Sequence, residues 1–158
     1  MTKDPFTYKA LAFFPADHAE AVNGKVHIVG GAWNRLFFPT FPQVLAHLAL
    51  VAVVEVPFSE YLAEHTVTIT MVDATEAPQK LKVEGKFRVG ASADMNYGDS
   101  TVMPLAIPVN NLLVEHTGDF FFVLAIDGEE VTRFGFKAMQ VPMTLPFAPQ
   151  AQPESEAS

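Results

Sequence analysis

The 158-residue sequence has no cysteine, and that absence removes a set of chemistries. Disulfides, thiolate nucleophiles, zinc–thiolate centres and cysteine-ligated iron–sulfur clusters all need a sulfur that is not there. A cysteine-free chain also fits a reducing compartment, so a cytoplasmic location is expected. Charge is scarce too. Charged residues make up 18% of the chain, against about 25% in an ordinary globular domain. Lysine and arginine number 10 against 18 aspartates and glutamates, a formal net charge of −8. Such a surface repels phosphate backbones and anionic lipid, so neither nucleic acid nor a membrane is expected as a partner. The one group of basic residues, Lys80, Lys82, Lys86 and Arg88, has even spacing and reads as the solvated face of a strand. Long apolar runs are missing as well. Leu48–Val54 is far short of the roughly 20 residues of a membrane-spanning helix. Ala10–Phe14 is too short for the apolar part of a secretory leader. Neither His-Glu-x-x-His nor a His-x-His pair followed by Glu occurs, so the common histidine metal motifs are unsupported.

What is abundant is apolar. Hydrophobic residues make up 49%, and 14 residues are phenylalanine. Aromatic and β-branched residues suit a pleated, half-buried sheet. Alternation and short apolar runs bounded by Pro, Gly, Asn and Asp predict strands near Tyr8–Phe14, Ala19–Val22, Lys25–Val29, Trp33–Phe37, Leu45–Val56, Thr66–Val72, Leu81–Val89, Thr101–Val109, Phe120–Ile126 and Val131–Ala138. The expected fold is therefore all-β: an antiparallel two-sheet sandwich, immunoglobulin-like or jelly-roll-like. Residues 1–145 read as the sandwich domain. Residues 146–158 have no bulky apolar residue after Phe147 and read as a disordered Pro/Ala/Glu/Ser tail. One helical turn at most is expected, over Ser59 to His65, with Ser59 as its cap. The prolines are expected between strands or at their ends.

Two turns carry register information. Asn23-Gly24 suits the two positive-φ positions of a type I′ turn. It places Glu20 opposite His27 and Ala21 opposite Val26. Asp127-Gly128 is the second. A three-residue loop, Asp127 to Glu129, would pair Phe122 with Phe134 and Phe120 with Phe136, and it is favoured over a two-residue loop that opposes Phe122 to Arg133. A one-residue slip exchanges core and solvent faces, so the phenylalanines decide.

The stretch Glu20-Ala21-Val22-Asn23-Gly24-Lys25 through Gly30-Gly31-Ala32-Trp33 resembles the opening block of an uncharacterised family of small bacterial proteins. Asp119-Phe120 to Asp127-Gly128-Glu129 is similar to that family's closing hairpin, and Leu48 to Pro57 to its central strand. The resemblance covers about a third of the chain. It implies a β-sandwich and brings no activity or site residues with it.

Several groups could carry chemistry. Glu20 and His27, with Asp17 and His18, offer imidazoles and carboxylates to a divalent metal; the plainer reading is a surface cross-strand pair. His47 and His65 stand at strand ends, where histidines are usually exposed or satisfied structural residues. Gly90-Ala91-Ser92-Ala93-Asp94 lacks the final glycine of a nucleophile elbow. Asp94, Asn96 and Asp99 put oxygen donors in one polar loop, without the Gly and Glu placement of an EF-hand; a small ligand or cation would be sought there. Gly30-Gly31 marks a bulge or a close backbone approach. Trp33 reads as core, or as an interface residue with Arg35 on the same face.

No catalytic cluster emerges, and no cofactor is expected. The leading expectation is a non-enzymatic protein-interaction or self-assembly module, with a protein partner or a second copy of the chain docking through an edge strand. The competing expectation is a domain that binds a small molecule, carbohydrate or cation through its end loops.

Overall fold

The computed structural model describes residues 8–90, 93, 94, 96 and 98–142. Among these residues the alternating segments form nine strands: β1 (Lys9–Val22), β2 (Lys25–Gly31), β3 (Arg35–Phe38), β4 (Gln43–Val56), β5 (Glu64–Asp73), β6 (Pro78–Arg88), β7 (Thr101–Val114), β8 (Gly118–Ile126) and β9 (Glu129–Gln140). They build a four-stranded sheet, β2-β1-β4-β7, and a five-stranded sheet, β3-β9-β8-β5-β6. The fold is the expected two-sheet, all-β kind. One core cluster joins Leu48, Leu50, Val54 and Val56 of β4 to Ile69 and Met71 of β5 and to Phe120, Phe122 and Leu124 of β8. Each contributes alternate residues from one strand face, as period two requires.

The pairing departs from purely antiparallel at one place. β3 runs parallel to β9, with Arg35 beside Lys137 and Phe38 beside Gln140. The chain leaves one sheet at the end of β2 and enters the other as β3, which brings it to β9 in the same direction. Prolines also enter strands. β1 is continuous through Pro15, because its first part pairs with β4 up to Ala16 while β2 pairs with it only from Ala16 onward. Pro15 sits at that changeover. Pro104 and Pro108 lie within β7, an edge strand whose missing donors can face solvent.

Both turns are two-residue turns with positive φ, at 52° and 71° for Asn23 and Gly24 and 50° and 83° for Asp127 and Gly128. The first gives the expected register, Glu20 opposite His27. The second gives the expected phenylalanine pairs, Phe122 with Phe134 and Phe120 with Phe136. It does so without the three-residue loop. Ile126 pairs with Glu129 directly, and the extra residue is taken up further along, where Ala125 meets Glu130 and Leu124 meets Thr132. The bulge, not the turn, brings the rings into register. The helical turn is a 3-10 turn over Phe58–Glu60, with Pro57 at the cap position and no side-chain cap. Ser59 lies inside it, and Tyr61 is already extended.

Sheet faces also switch. In β4, Ala46 and His47 are both exposed, as are Asn110 and Asn111 opposite them in β7. Asn111 has φ 56°. Both strands reverse their inward parity there while keeping register, so Leu45 and Leu112 face the core beyond it. The β1–β4 ladder runs only as far as Ala16 opposite Ala49, and beyond Ala16 β1 is paired with β2.

Candidate functional site

The far part of β1 and the whole of β2 make an exposed hairpin, called the arm here, with His18 still beside His47 of β4. Beyond Ala16, β1 and β2 form a two-stranded hairpin in which Ala19 and Val26 are half-buried and the other residues from Asp17 to Gly31 are exposed. Val29 is 64% exposed, Val22 45% and Ile28 40%. Small residues explain why it buries so little: β1 offers Ala19 and Ala21 where β8 offers phenylalanines, although the curl of the sheet brings β2 near β7. The arm's base is fitted closely. A side chain at Gly30 would collide with the Asp17 carboxylate, and one at Gly31 would press on Ile28 and Phe14. The glycine pair is therefore a close-approach device.

The arm carries a free sheet edge. Val22 and Lys25 flank a two-residue turn and so exchange hydrogen bonds with each other. The antiparallel ladder alternates, which sends the backbone N–H and C=O of Val26 and Ile28 away from β1. The other terminal strands are protected. β3 has four residues. β6 displays Lys80, Lys82, Glu84, Lys86 and Arg88 on its exposed face, as its spacing predicts. β7 has Pro104 and Pro108, which remove two donors from its outer side. Short edges, charge and proline are the usual means of blocking strand addition. β2 has seven residues, no proline and one permanent charge, Lys25.

The second feature is a buried histidine. Alternation places His65 on the same face of β5 as Val67, Ile69 and Met71, and it is 3% exposed. Its Nδ1 lies 2.6 Å from Asp127 Oδ2 and 2.8 Å from the Tyr8 hydroxyl, and its Nε2 lies 2.7 Å from the Glu60 carbonyl oxygen. Asp127 Oδ1 accepts the Thr66 N–H at 2.9 Å. The Tyr8 and Phe87 rings close over the imidazole at centroid distances of 5.5 and 5.4 Å. Burial alone lowers the His65 pKa, but the hydrogen bonds to Asp127 and to the Glu60 carbonyl, with the charges of Asp127 and Glu60, outweigh it and raise the pKa above its ordinary value. The Thr66 N–H first, and then His65, hold the Asp127 carboxyl below the usual range. Burial, with the charges of Glu60 and Asp127, raises the Tyr8 phenol. Both ring nitrogens are occupied by protein groups, so neither is open to a substrate.

The other candidates fall at separate places. His18 lies 3.3 Å from Glu20 on the exposed face of the arm, and its ring is 5.9 Å from that of His47, which bonds Asn110 at 2.9 Å. His27 is opposite Glu20 by register. In the polar loop, Asn96 N–H donates to Asp99 Oδ2 at 2.9 Å and Asp99 N–H to the Asn96 carbonyl at 3.1 Å. The Tyr61 hydroxyl donates to the Asp99 carbonyl at 2.9 Å. Among the described residues no three His, Asp or Glu are grouped to hold a metal ion. Trp33 is half-buried and meets Phe136 edge-on at 6.3 Å, whereas Arg35 is exposed. Alternation does not run between them, since Ala32 takes φ 65° and β3 begins only at Arg35. Ser92 and the tail at 146–158 lie outside the described residues.

Among the described residues, a two-sheet, mostly antiparallel all-β fold of nine strands, whose four-stranded sheet curls until β2 comes near β7, is the class of protein this geometry defines. The chain belongs to a family of unknown function, DUF6941, whose model matches residues 11–139, from within β1 to within β9. No curated protein matches it.

Proposed function

We propose that the protein is a non-enzymatic interaction module that assembles with a second copy of itself by pairing β2 edge to edge. The observation that carries this is the contrast among the four terminal strands of the described residues: β2 keeps outward-facing backbone groups with a single charge, Lys25 at its end, and neither proline nor brevity to block them. Strand addition to such an edge supplies main-chain hydrogen bonds, and side-chain fit selects the partner. A second copy fits chemically. The chain is strongly acidic, but residues 17–31 hold Asp17 and Glu20 against Lys25, a net −1, so two arms meet with little repulsion. A two-fold pairing centred on Ile28 sets Ile28 against Ile28, Val26 against Gly30 and His27 against Val29. It keeps the two lysines at opposite ends. Exposed Ile28 and Val29 lose water in the process. A cytoplasmic setting belongs to the same proposal and rests on the lack of cysteine.

Native mass spectrometry and analytical ultracentrifugation of the full chain test this. The expected species has twice the 17.3 kDa chain mass. Ile28→Pro removes an outward donor and leaves the β1 ladder intact, so it is expected to give a monomer with unchanged circular dichroism. A monomer in the wild type at its highest soluble concentration, or a dimer that survives Ile28→Pro, would overturn the reading.

A further inference from the structure

We propose that His65 is a buried imidazolium acting as a proton-dependent latch, which fastens one end of the sandwich and releases it on deprotonation. The hydrogen-bond partners favour a ring protonated on both nitrogens. Nε2 faces a carbonyl oxygen, which only accepts, so Nε2 carries a hydrogen. Nδ1 faces the Asp127 carboxylate at 2.6 Å, a short contact that requires a hydrogen between them. The Tyr8 oxygen shares that hydrogen at 2.8 Å. A ring protonated on Nε2 alone accepts the Tyr8 O–H at Nδ1 but sets that lone pair against Asp127 Oδ2, and a ring protonated on Nδ1 alone sets Nε2 against the Glu60 carbonyl oxygen.

Three separate segments hydrogen-bond to this ring: Tyr8 before β1, the 3-10 turn through Glu60, and the β8–β9 turn through Asp127. The charged and titratable groups facing it are Tyr8, Glu60, whose Oε2 is 3.8 Å from Nε2, and Asp127. From β6 it meets Phe87, which carries no charge. The fastening continues outward. Tyr61, next to Glu60, donates to the Asp99 carbonyl, so the turn bonded to His65 also holds Asp99, just before β7. Loss of the Nε2 proton, which faces a neutral carbonyl and not a carboxylate, breaks the Glu60 contact and loosens the turn and its hold on Asp99.

The sign follows from linkage. His65 has a raised pKa, so its contribution is complete below the unfolded value of about 6.5 and is lost as pH rises through the higher folded value. Asp127 has a lowered one, so its contribution is present above about 3.9 and is lost as pH falls through the lower folded value. The latch is closed between the two folded values.

Imidazole nitrogen NMR of the full-length, ¹⁵N-labelled chain reads the state directly, and the exposed His18 and His27 provide the comparison in the same spectrum. The expected result is that His65 carries hydrogens on both nitrogens at neutral pH and titrates above about 6.5. Asp127→Asn is expected to lower that midpoint by roughly one unit or more. Amide exchange at Tyr61 and Thr66, corrected for its intrinsic pH dependence, is expected to quicken as His65 deprotonates. A singly protonated His65 ring at pH 6 would overturn the assignment. A titration that leaves Tyr61, Thr66 and Asp99 unmoved would overturn the latch.

Discussion

The β1–β2 and β8–β9 hairpins are built on the same turn chemistry and end in opposite surroundings. Asn23-Gly24 and Asp127-Gly128 take nearly the same dihedrals. Yet Phe120, Phe122, Leu124 and Ile126 of β8 are buried, while most of the arm from Asp17 to Gly31 is exposed. The turn decides that two strands pair. What lies at alternate positions decides whether the pair joins the core. β8 places large apolar residues on its inward face, and the matching stretch of β1 places Asp17, Ala19 and Ala21. Two strands with little inward volume are marginal alone, and in the proposed assembly a second copy would complete the sheet there.

The largest expected effect probes the body. Phe122→Ala removes a ring stacked on Phe136 at 4.8 Å and should cost about 3–5 kcal/mol in urea denaturation. Ile28→Ala in the arm should cost no more than about 0.5 kcal/mol. Equal costs would erase the distinction between the two hairpins. The turn glycines sharpen it at smaller scale. Gly24 and Gly128 both have positive φ and open space where a Cβ would stand, so alanine at either brings only backbone strain, about 1–2 kcal/mol. Gly128→Ala should lower global stability by that amount. Gly24→Ala should appear chiefly as faster amide exchange at Glu20 and His27, because the arm opens without unfolding the body.

The sequence made the body legible for the same reason. Alternation in β5, β6 and β8 is regular, and both hairpin signals were chemically specific. Less was legible where two strands act together. The simultaneous face reversal at Ala46-His47 and Asn110-Asn111 leaves register unchanged, so neither strand alone reveals it. The β8–β9 bulge gave the right phenylalanine pairs through a turn of a different length. β3 could not be assigned its parallel partner, because nothing local marks which strand it meets. His65 was readable in part: it continues the Val67, Ile69 and Met71 face, and that alone places it inside. Its partners were not readable. Tyr8 is 57 positions away and Asp127 62, and Asp127 reads first as a turn residue. The free edge of β2 was likewise invisible until the other three edges were known.

The smallest effect on stability falls on Val29, and it separates folding from assembly. Val29 is exposed on the arm beside His18 and His27 by register, so Val29→Lys should leave the urea midpoint within about 0.5 kcal/mol of wild type. In the two-fold pairing it stands opposite His27 of the second copy, twice per dimer. Cross-strand pairs are worth about 0.2–1 kcal/mol each, so the dimer dissociation constant should rise roughly two- to thirty-fold. Sedimentation equilibrium of the two proteins measures both quantities on one scale. A large loss of folding stability would mean that the arm is bound to the body more tightly than its exposure implies. An unchanged dimer would place the contact on a different register or a different strand.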